Sequence, residues 1–288
     1  MCSKFAEKFE KNVLRTIKDY SLASKSDKVV VACSGGKDST SVAGILLENG
    51  YDTEALHIDL GIGDWSKKNR GNISSFCSER GIKLHIASTR DYFGSSVCYL
   101  KSSLQAKANL TSCSVCGVMK KWILNRKARE IGAAMLATGH NLEDEARTAA
   151  MNLINGNPEL NLFSSPGRKA NGKIFVPRIK PLYFCSTPDI ERYSREMEFP
   201  VLYDRCPCSK GSFGRNVVEE LETVSGGFPE LKMNFVRTFL EIQKKAPVCG
   251  KTAVVCNFCG EPSRRGVCRT CSMLSMLRKP VVNPSRGT

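Results

Sequence analysis

Apolar residues near the start of the chain recur at the spacing of a helix. The apolar positions are Phe5, Phe9, Val13, Ile17 and Tyr20. Because steps of three and four residues return to the same side of an α-helix, these side chains form one face. The chain is therefore predicted to open with an amphipathic helix that packs on a core.

Short apolar runs and helical segments alternate along the next 120 residues or so. The predicted strands cover residues 29–33, 55–60, 83–87 and 135–138, and the predicted helices cover residues 39–47, 72–80 and 118–131. Such alternation is typical of a parallel sheet with helices on both faces. We predict an α/β fold, a doubly wound parallel sheet of the Rossmann-like kind, whose ligands bind at the carboxyl ends of the strands.

The pattern weakens after about residue 160 and then becomes helical. A Gly/Ser/Pro-rich loop covers residues 164–172, and helices are predicted to begin at Thr187 and to cover residues 216–224 and 229–244. We predict four parts: an N-terminal helix (1–24), the α/β domain (25–200), a helical extension (201–248) and a small four-cysteine module with a basic tail (249–288).

Charge and cysteine content narrow the class of protein. The 288 residues include 43 Lys and Arg against 28 Asp and Glu, a net charge of +15, and 14 cysteines. Such an excess favours a polyanionic partner, nucleic acid first, although an inert basic surface is the alternative. The charged N-terminus is unlike a signal peptide, and no apolar window is long enough to span a membrane. We therefore expect a cytoplasmic protein whose cysteines are reduced.

The segment after the first predicted strand has the composition of a phosphate-binding loop. It reads Ser34, Gly35, Gly36, Lys37, Asp38, Ser39 and Thr40. A glycine-rich turn between a buried strand and a helix directs backbone N–H groups and the positive helix end at an anion. The spacing differs from that of a Walker A loop, and a bare strand-to-helix turn is the alternative.

This loop and a later Thr-Gly-His-Asn segment that begins at Thr138 resemble the PP-loop superfamily of ATP pyrophosphatases. The resemblance implies an ATP site that contains Ala32, the loop Ser34–Thr40, His57, Asp59, Gly139 and Asp144. It also implies catalytic roles for Lys37, Asp38 and Asp144, with Mg²⁺ held by Asp38 together with Asp144. Without the resemblance, Asp144 would be read as an acid that complements the dipole of its helix.

Three cysteines outside the last module suggest a second cofactor. Cys113 and Cys116 form a C-x-x-C that alone fits a redox pair, half a zinc site or half an iron–sulfur site. Together with the Cys206-Pro207-Cys208 segment, they resemble the tRNA 2-thiouridine synthetases of the TtcA/TtuA type, over most of residues 1–275. That resemblance implies a [4Fe–4S] cluster on Cys113, Cys116 and Cys206, with Cys208 as the alternative third ligand. A persulfide on Cys113 or Cys206, without a cluster, is the competing mechanism.

The spacing of the last four cysteines indicates a metal site more strongly than the single C-x-x-C does. Cys256, Cys259, Cys268 and Cys271 form two C-x-x-C knuckles, a pattern that favours tetrahedral Zn²⁺. Relatives of this type commonly carry a further zinc knuckle at the N-terminus, of which only Cys2 is present here. The other cysteines are interpreted as small core residues or incidental thiols: Cys33, Cys77, Cys98, Cys185 and Cys249.

The resemblance implies ATP-dependent tRNA 2-thiolation. The enzyme would adenylate C2 of a uridine, favoured at wobble position 34 over position 54, and replace its oxygen with sulfur. Sulfur would come from a ubiquitin-like thiocarboxylate carrier or free sulfide, and a homodimer is left open. The alternatives are a persulfide-based thiolase, a cytidine-thiolating PP-loop enzyme and a non-catalytic zinc protein that binds tRNA.

Overall fold

The structure is a computed structural model of the 288-residue chain. It describes residues 3–108, 110, 112–168, 174–204, 206–209, 213–226, 228, 230–245 and 254–278. Cys2 and Cys249 lie outside the described residues, as does the basic tail after residue 278. Among the described helices, none has the length and apolar character needed to cross a membrane.

Helices and strands alternate through the first two thirds of the chain. Within the described residues the helices are α1 (Lys4–Asp19), α2 (Lys37–Glu48), α3 (Gly63–Glu79), α4 (Thr89–Phe93), α5 (Val97–Gln105), α6 (Ser112–Ile131), α7 (Leu142–Ile154), α8 (Thr187–Glu196), α9 (Phe213–Ser225), α10 (Leu231–Lys245) and α11 (Arg269–Met276). The strands are β1 (Val29–Ala32), β2 (Thr53–Asp59), β3 (Lys83–Ser88), β4 (Met135–Ala137), β5 (Gly167–Arg168), β6 (Arg178–Ile179), β7 (Val254–Val255) and β8 (Pro262–Ser263). Short 3₁₀ helices cover Pro158–Phe163 and Pro207–Ser209.

The main sheet has the predicted doubly wound form. Its strand order is β3-β2-β1-β4-β6-β5, in which β5 alone runs antiparallel to its neighbour. In the central strand β1, Val29 pairs with Thr53 on one side and with Met135 on the other. The chain leaves β1 toward β2 and later returns to the other side as β4. A ligand crevice is therefore expected at the carboxyl ends of β1 and β4.

Alternate residues of β1 face the two helical layers. Val29 and Val31 belong to a buried cluster that includes residues of α1, α2, α3 and α8. Val30 belongs to a second cluster, with residues of α4, α5, α6 and α11. This two-sided burial explains why the strand is a continuous apolar run. The predicted apolar face of α1 is confirmed, since Phe9, Val13 and Ile17 are buried.

Several elements differ from the sequence-based expectation. Helix α3 begins at Gly63 rather than near residue 72, and α4 and α5 were not predicted because each is short. Their signals are polar caps: Ser88 and Asp91 form a capping box for α4, and Ser96 caps α5. Strand β5 lies within the predicted loop 164–172, and β6 lies beyond that loop in a segment to which no element was assigned. Helix α8 begins at Thr187 as predicted, and Ser186 is its cap.

The C-terminal four-cysteine module packs against α6. Three of its cysteines, with Met273 and Leu274, belong to the same buried cluster as core residues of β2 and β4. Glu261, which is 1% exposed, forms an ion pair with Arg129 and accepts a hydrogen bond of 2.9 Å from Asn125. A buried carboxylate needs such partners to offset its desolvation. The module is thus fixed on the α/β domain, while its predicted boundary at residue 249 stays a prediction.

We expect Glu261→Gln to lower the free energy of unfolding by about 2 kcal/mol, because the change leaves the Arg129 guanidinium without its buried partner. Urea unfolding followed by circular dichroism measures the effect. Glu130→Gln, which changes an exposed acid next to Arg129 on α6, is the matched control and should cost at most about 0.5 kcal/mol. Equal losses in the two variants would contradict this role for Glu261.

Candidate active site

The loop after β1 is shaped to hold an anion. Gly36 caps α2 without a side-chain hydrogen bond, so the first turn offers backbone N–H groups at the positive end of the helix. Gly35 has a φ of 85°, which favours glycine. Ser39 fixes the turn internally: its Oγ accepts from the Ser34 N–H at 3.0 Å and lies 3.2 Å from the Gly36 carbonyl. The neighbouring Thr40 hydroxyl is buried without a partner among the described residues.

The end of β4 packs directly on this loop. A Cβ atom on Gly139 would lie 2.7 Å from Ser39 N and 2.8 Å from the Asp38 carbonyl carbon, too close for any side chain. Next to this contact, Asn141 Nδ2 donates to Asp38 Oδ1 at 2.9 Å. Asn141 Oδ1 also accepts from the Asp144 N–H at 3.1 Å, which caps α7. One amide side chain therefore ties the two halves of the crevice together.

The four carboxylates at this edge have different partners. Glu145 is buried and pairs with Lys180 at 2.7 Å, and Glu143 accepts from the Thr187 N–H at 2.8 Å. Those two groups are therefore structural. Asp38 contacts Lys37 Nζ at 3.1 Å, and Asp144 contacts Arg147 at 2.8 Å. Asp38 and Asp144 are both partly exposed, which leaves them accessible to a cation or a ligand.

His57 lies in β2 beside the start of the loop. Its Nδ1 is 2.9 Å from the Cys33 carbonyl oxygen, which can only accept, so Nδ1 carries the proton. Burial lowers the pKa of His57, although this hydrogen bond opposes the shift. The neutral ring then has Nε2 as a buried acceptor with no partner among the described residues. Asp59 differs, since its Oδ1 accepts from the Gly61 N–H at 2.8 Å and shapes the turn after β2.

Four cysteines from three segments meet next to the same edge of the sheet. Cys98, Cys116, Cys206 and Cys208 all pack on an apolar patch made by Leu60, Ile62 and Val97. Cys113 lies in the first turn of α6, and Cys116 follows at the start of the second turn. Cys113 is exposed. The sequence interpretation of Cys98 as an incidental thiol missed this placement, since residue 98 is far from the other cysteines in sequence.

A backbone contact connects these cysteines with the anion loop. The Leu202 N–H donates to the Gly35 carbonyl at 3.4 Å, and residues 36 and 202 form a bridge that extends the sheet locally. Cys206 follows Leu202 by four residues, so it lies within about 14 Å of that contact. The loop and the cysteine group therefore lie near each other at the carboxyl edge of the sheet.

The pKa of Cys116 in the C-x-x-C depends on burial and on the charges of its neighbours, which include Cys206. Burial raises the pKa of Cys116, while the nearby Lys120 ammonium lowers it in part. The charge of Cys206 raises this pKa more than those of Cys113 and Cys208 do. Cys206 therefore lies close enough to Cys116 to affect its pKa, and the choice of Cys206 over Cys208 as the third ligand stays a prediction. The ligands of an iron–sulfur cluster lie farther apart than the ligands of a single metal ion, because several atoms of the cluster stand between them. Cys113, Cys116 and Cys206 therefore need not be in mutual contact to bind one.

Cations gather between this crevice and the C-terminal module. Desolvation lowers the pKa of Lys121, and the charges of four neighbours lower it further: Arg178, Lys120, Lys180 and Arg269. These residues come from α6, β6 and its following turn, and α11. Such crowding of like charge is unfavourable alone and is relieved by a polyanion. Sequence reasoning missed this cluster, because only the fold brings its members together.

The four C-terminal cysteines fit a single metal ion. Their sulfur atoms all lie within 4.8 Å of one another. Zn–S bonds of about 2.3 Å in a tetrahedron would place the sulfurs about 3.8 Å apart, and Cys259 and Cys268 are 3.6 Å apart. The hydrogen bond from Cys268 lowers the pKa of Cys259, and Trp122 Nε1, at 3.4 Å, lowers it further. The Cys268 N–H donates to Cys256 Sγ at 3.2 Å, as expected around metal-bound thiolates.

Comparison with known proteins gives consistent matches. Residues 5–221 match the PP-loop domain family. A tRNA-5-methyluridine(54) 2-sulfurtransferase of Pyrococcus horikoshii is 32% identical, covering 96% of this chain and 87% of that protein. The cytoplasmic tRNA 2-thiolation protein 1 of Caenorhabditis elegans is 30% identical, covering 95% and 74%. The U34-tRNA thiolase NcsA of Methanococcus maripaludis, solved with its [4Fe-4S] cluster, superposes with a TM-score of 0.80 at 27% identity, covering 98% and 91%.

The sheet, the loop after β1 and the contact with the end of β4 define a PP-loop nucleotide-binding protein. The relatives extend over nearly the whole chain, including the cysteine-bearing parts beyond residue 200. The chain therefore belongs to the family of PP-loop tRNA 2-thiolation sulfurtransferases.

Gly139→Ala should abolish ATP binding while leaving most of the fold intact, because the added methyl group displaces the backbone at Asp38 and Ser39. Isothermal titration with ATP and Mg²⁺ measures the loss, which we expect to exceed about 30-fold in affinity. The matched control is Gly71→Ala on α3, where a Cβ meets nothing within 4 Å. An ATP affinity that is unchanged by Gly139→Ala would contradict this account of the crevice.

Proposed function

We propose that this protein is an ATP-dependent tRNA 2-thiolase of the cytoplasm. It adenylates the C2 oxygen of a uridine, releases pyrophosphate, and replaces that oxygen with sulfur as AMP leaves. The observation that carries the proposal is the nearness of the anion loop to the segment that carries Cys206, which packs with Cys116 on one apolar patch at the same edge of the sheet. A thiolase needs these two chemistries side by side, because the activated carbon must meet sulfur before it meets water.

Different residues of the loop would bind the phosphates of ATP and the Mg²⁺ ion. Backbone N–H groups at Gly36 and in the first turn of α2 would bind the phosphates, and Lys37 would stabilise charge on the α-phosphate. Asp38, together with Asp144, would hold Mg²⁺, which supplies further neutralisation of the phosphates. Asn141 keeps the Asp38 carboxylate in place by its 2.9 Å hydrogen bond. His57 Nε2 is free to accept a hydrogen bond from the ligand.

The thiol group would hold the sulfur-transfer cofactor. Cys113, Cys116 and Cys206 are the proposed ligands of a [4Fe–4S] cluster, an assignment favoured by the solved relative that contains one. Three ligands leave one iron open, so the cluster when bound supplies a coordination position for sulfide from a thiocarboxylate carrier or from solution. Burial raises the pKa of Cys116 and of Cys206, and the Lys120 ammonium opposes that shift in part.

The C-terminal module is proposed to be a structural zinc site that takes part in tRNA binding. Cys256, Cys259, Cys268 and Cys271 would bind Zn²⁺, which would supply folding free energy that so small a module lacks. The cation cluster around Lys121 lies between this module and the crevice, so it fits a phosphate backbone that leads toward ATP. We favour wobble uridine 34 as the modified nucleotide. Position 54 is the alternative, because relatives named for each of the two positions are similar to this chain.

Asp38→Asn should lower thiolation by about 100-fold or more, because the amide cannot hold Mg²⁺ at the phosphates. The assay incubates unmodified tRNA with ATP, Mg²⁺ and sulfide under anaerobic conditions and quantifies 2-thiouridine by mass spectrometry of the digested tRNA. Fragment mapping then assigns the sulfur to position 34 or 54. The control is Asp19→Asn, an exposed acid at the end of α1, which should retain full activity.

The same digest separates the thiolase from two competing functions. Sulfur found in cytidine rather than uridine would indicate a cytidine-thiolating PP-loop enzyme. Binding of tRNA with no thionucleoside formed, even with ATP and sulfide present, would indicate a non-catalytic zinc protein.

Cys113→Ala should remove iron without unfolding the chain, since Cys113 is exposed. Anaerobically purified protein is expected to be brown with about four irons per chain, and the variant colourless with its zinc retained. Metal analysis and visible absorption provide the readout, and Cys77→Ala, in the core, is the control. A colourless parent protein with full activity would reject the cluster and favour the persulfide route.

A further inference from the structure

The imidazole of His140 is oriented by a chain of two hydrogen bonds just beyond the end of β4. The Thr138 hydroxyl donates to the Ile179 carbonyl oxygen at 3.4 Å, so its proton is already engaged. Thr138 Oγ1 also lies 3.0 Å from His140 Nδ1 and therefore accepts from the Nδ1–H. A proton on Nδ1 leaves Nε2 as the acceptor of the neutral ring. The His140 side chain is exposed, so a ligand can reach that atom.

His140 lies between two residues that contact the loop after β1. On one side is Gly139, whose backbone packs on Asp38 and Ser39, and on the other is Asn141, which donates to Asp38. The charged neighbours of the ring come from α7, α6 and the turn after β6: Asp144, Glu145, Lys121 and Lys180. The ring therefore adjoins both the candidate ATP site and the cation cluster that is proposed to bind tRNA.

The surroundings of the ring favour its neutral form. Desolvation lowers the pKa of His140; the Asp144 carboxylate opposes this shift, and the Lys180 ammonium lowers the pKa further. The ring is therefore neutral at physiological pH and can accept a hydrogen bond or a proton.

Adenylation of a uridine requires such an acceptor. Uridine carries a proton on N3, the ring atom next to C2. If O2 bonded to phosphorus while that proton stayed, the base would become a cation, so the proton must leave N3 as the new bond forms. A positioned base that takes the proton lowers the barrier of this step.

We propose that His140 Nε2 takes the N3 proton of the uridine during adenylation, a role that rests on the proposed thiolation. O2 attacks the α-phosphorus of ATP: the O2–P bond forms, the bond from that phosphorus to pyrophosphate breaks, and the proton moves from N3 to Nε2. Hydrosulfide, HS⁻, then adds to C2, the C2–O bond breaks, and AMP leaves. The hydrosulfide proton moves to N3, and Nε2 releases its own proton to solvent.

The test compares the parent chain with His140→Gln, whose amide cannot take a proton. The control is His85→Gln on the outer strand β3, where the histidine contacts Glu54 at 2.6 Å. Each full-length protein, purified anaerobically, receives ATP, Mg²⁺, sulfide and one of two tRNA transcripts, made with uridine or with 5-fluorouridine. The fluorine withdraws electrons and makes the N3–H more acidic. The rate of thionucleoside formation is measured by mass spectrometry, the ATP affinity by titration calorimetry and the fold by circular dichroism.

On the uridine transcript, His140→Gln should thiolate about 100-fold more slowly than the parent, with its ATP affinity and fold unchanged, while His85→Gln keeps the parent rate. On the 5-fluorouridine transcript the difference should shrink to about tenfold, because a more acidic N3–H depends less on a base. Equal rates for His140→Gln and the parent, or the same loss with both transcripts, would overturn the proposal and leave the thiolase in place. A parent chain that forms no thionucleoside would instead reject the proposed function, and this role of His140 with it.

Discussion

The close approach of two backbone segments, the end of β4 and the loop after β1, is the constraint on which the crevice depends. It requires glycine at position 139, and Asn141 secures it by binding Asp38 and capping α7 with the same amide. On the other side, the bridge to Leu202 brings the chain back along the loop and carries Cys206 and Cys208 to the carboxyl edge of the sheet. Nucleotide chemistry and sulfur chemistry are neighbours because these short contacts leave the chain little freedom between them.

Helix α6 connects the cysteine group at the sheet edge with the C-terminal four-cysteine module. Its first two turns carry Cys113 and Cys116, and the next turn carries Lys120 and Lys121 of the cation cluster. Further along, Trp122, Asn125 and Arg129 hold the four-cysteine module. A single rigid helix thus fixes the distance from that module to the crevice, which is how a bound tRNA could be held in register with the nucleotide.

Much of the fold could be predicted from sequence because its signals are local. The buried run of β1 and the periodic apolar face of α1 are short-range patterns, and the loop Ser34–Thr40 has a recognisable order of residues. The capped short helices α4 and α5 were not predicted, because each is too short to show a periodic pattern of apolar residues. The packing of Cys98 and Cys208 on one apolar patch, and the ion pair of Glu261 with Arg129, bring together residues 110 or more positions apart in sequence, which only the folded chain can do.

The central claim is that the loop after β1 activates the C2 oxygen of uridine by adenylation. The direct measurement uses tRNA transcribed with [2-¹⁸O]uridine, thiolated by the protein under anaerobic conditions, followed by mass spectrometry of the AMP. We predict one ¹⁸O in the phosphate of AMP for each 2-thiouridine formed. Thiouridine that accumulates with unlabelled AMP would contradict the account, because the oxygen would then have left C2 without being bonded to the nucleotide.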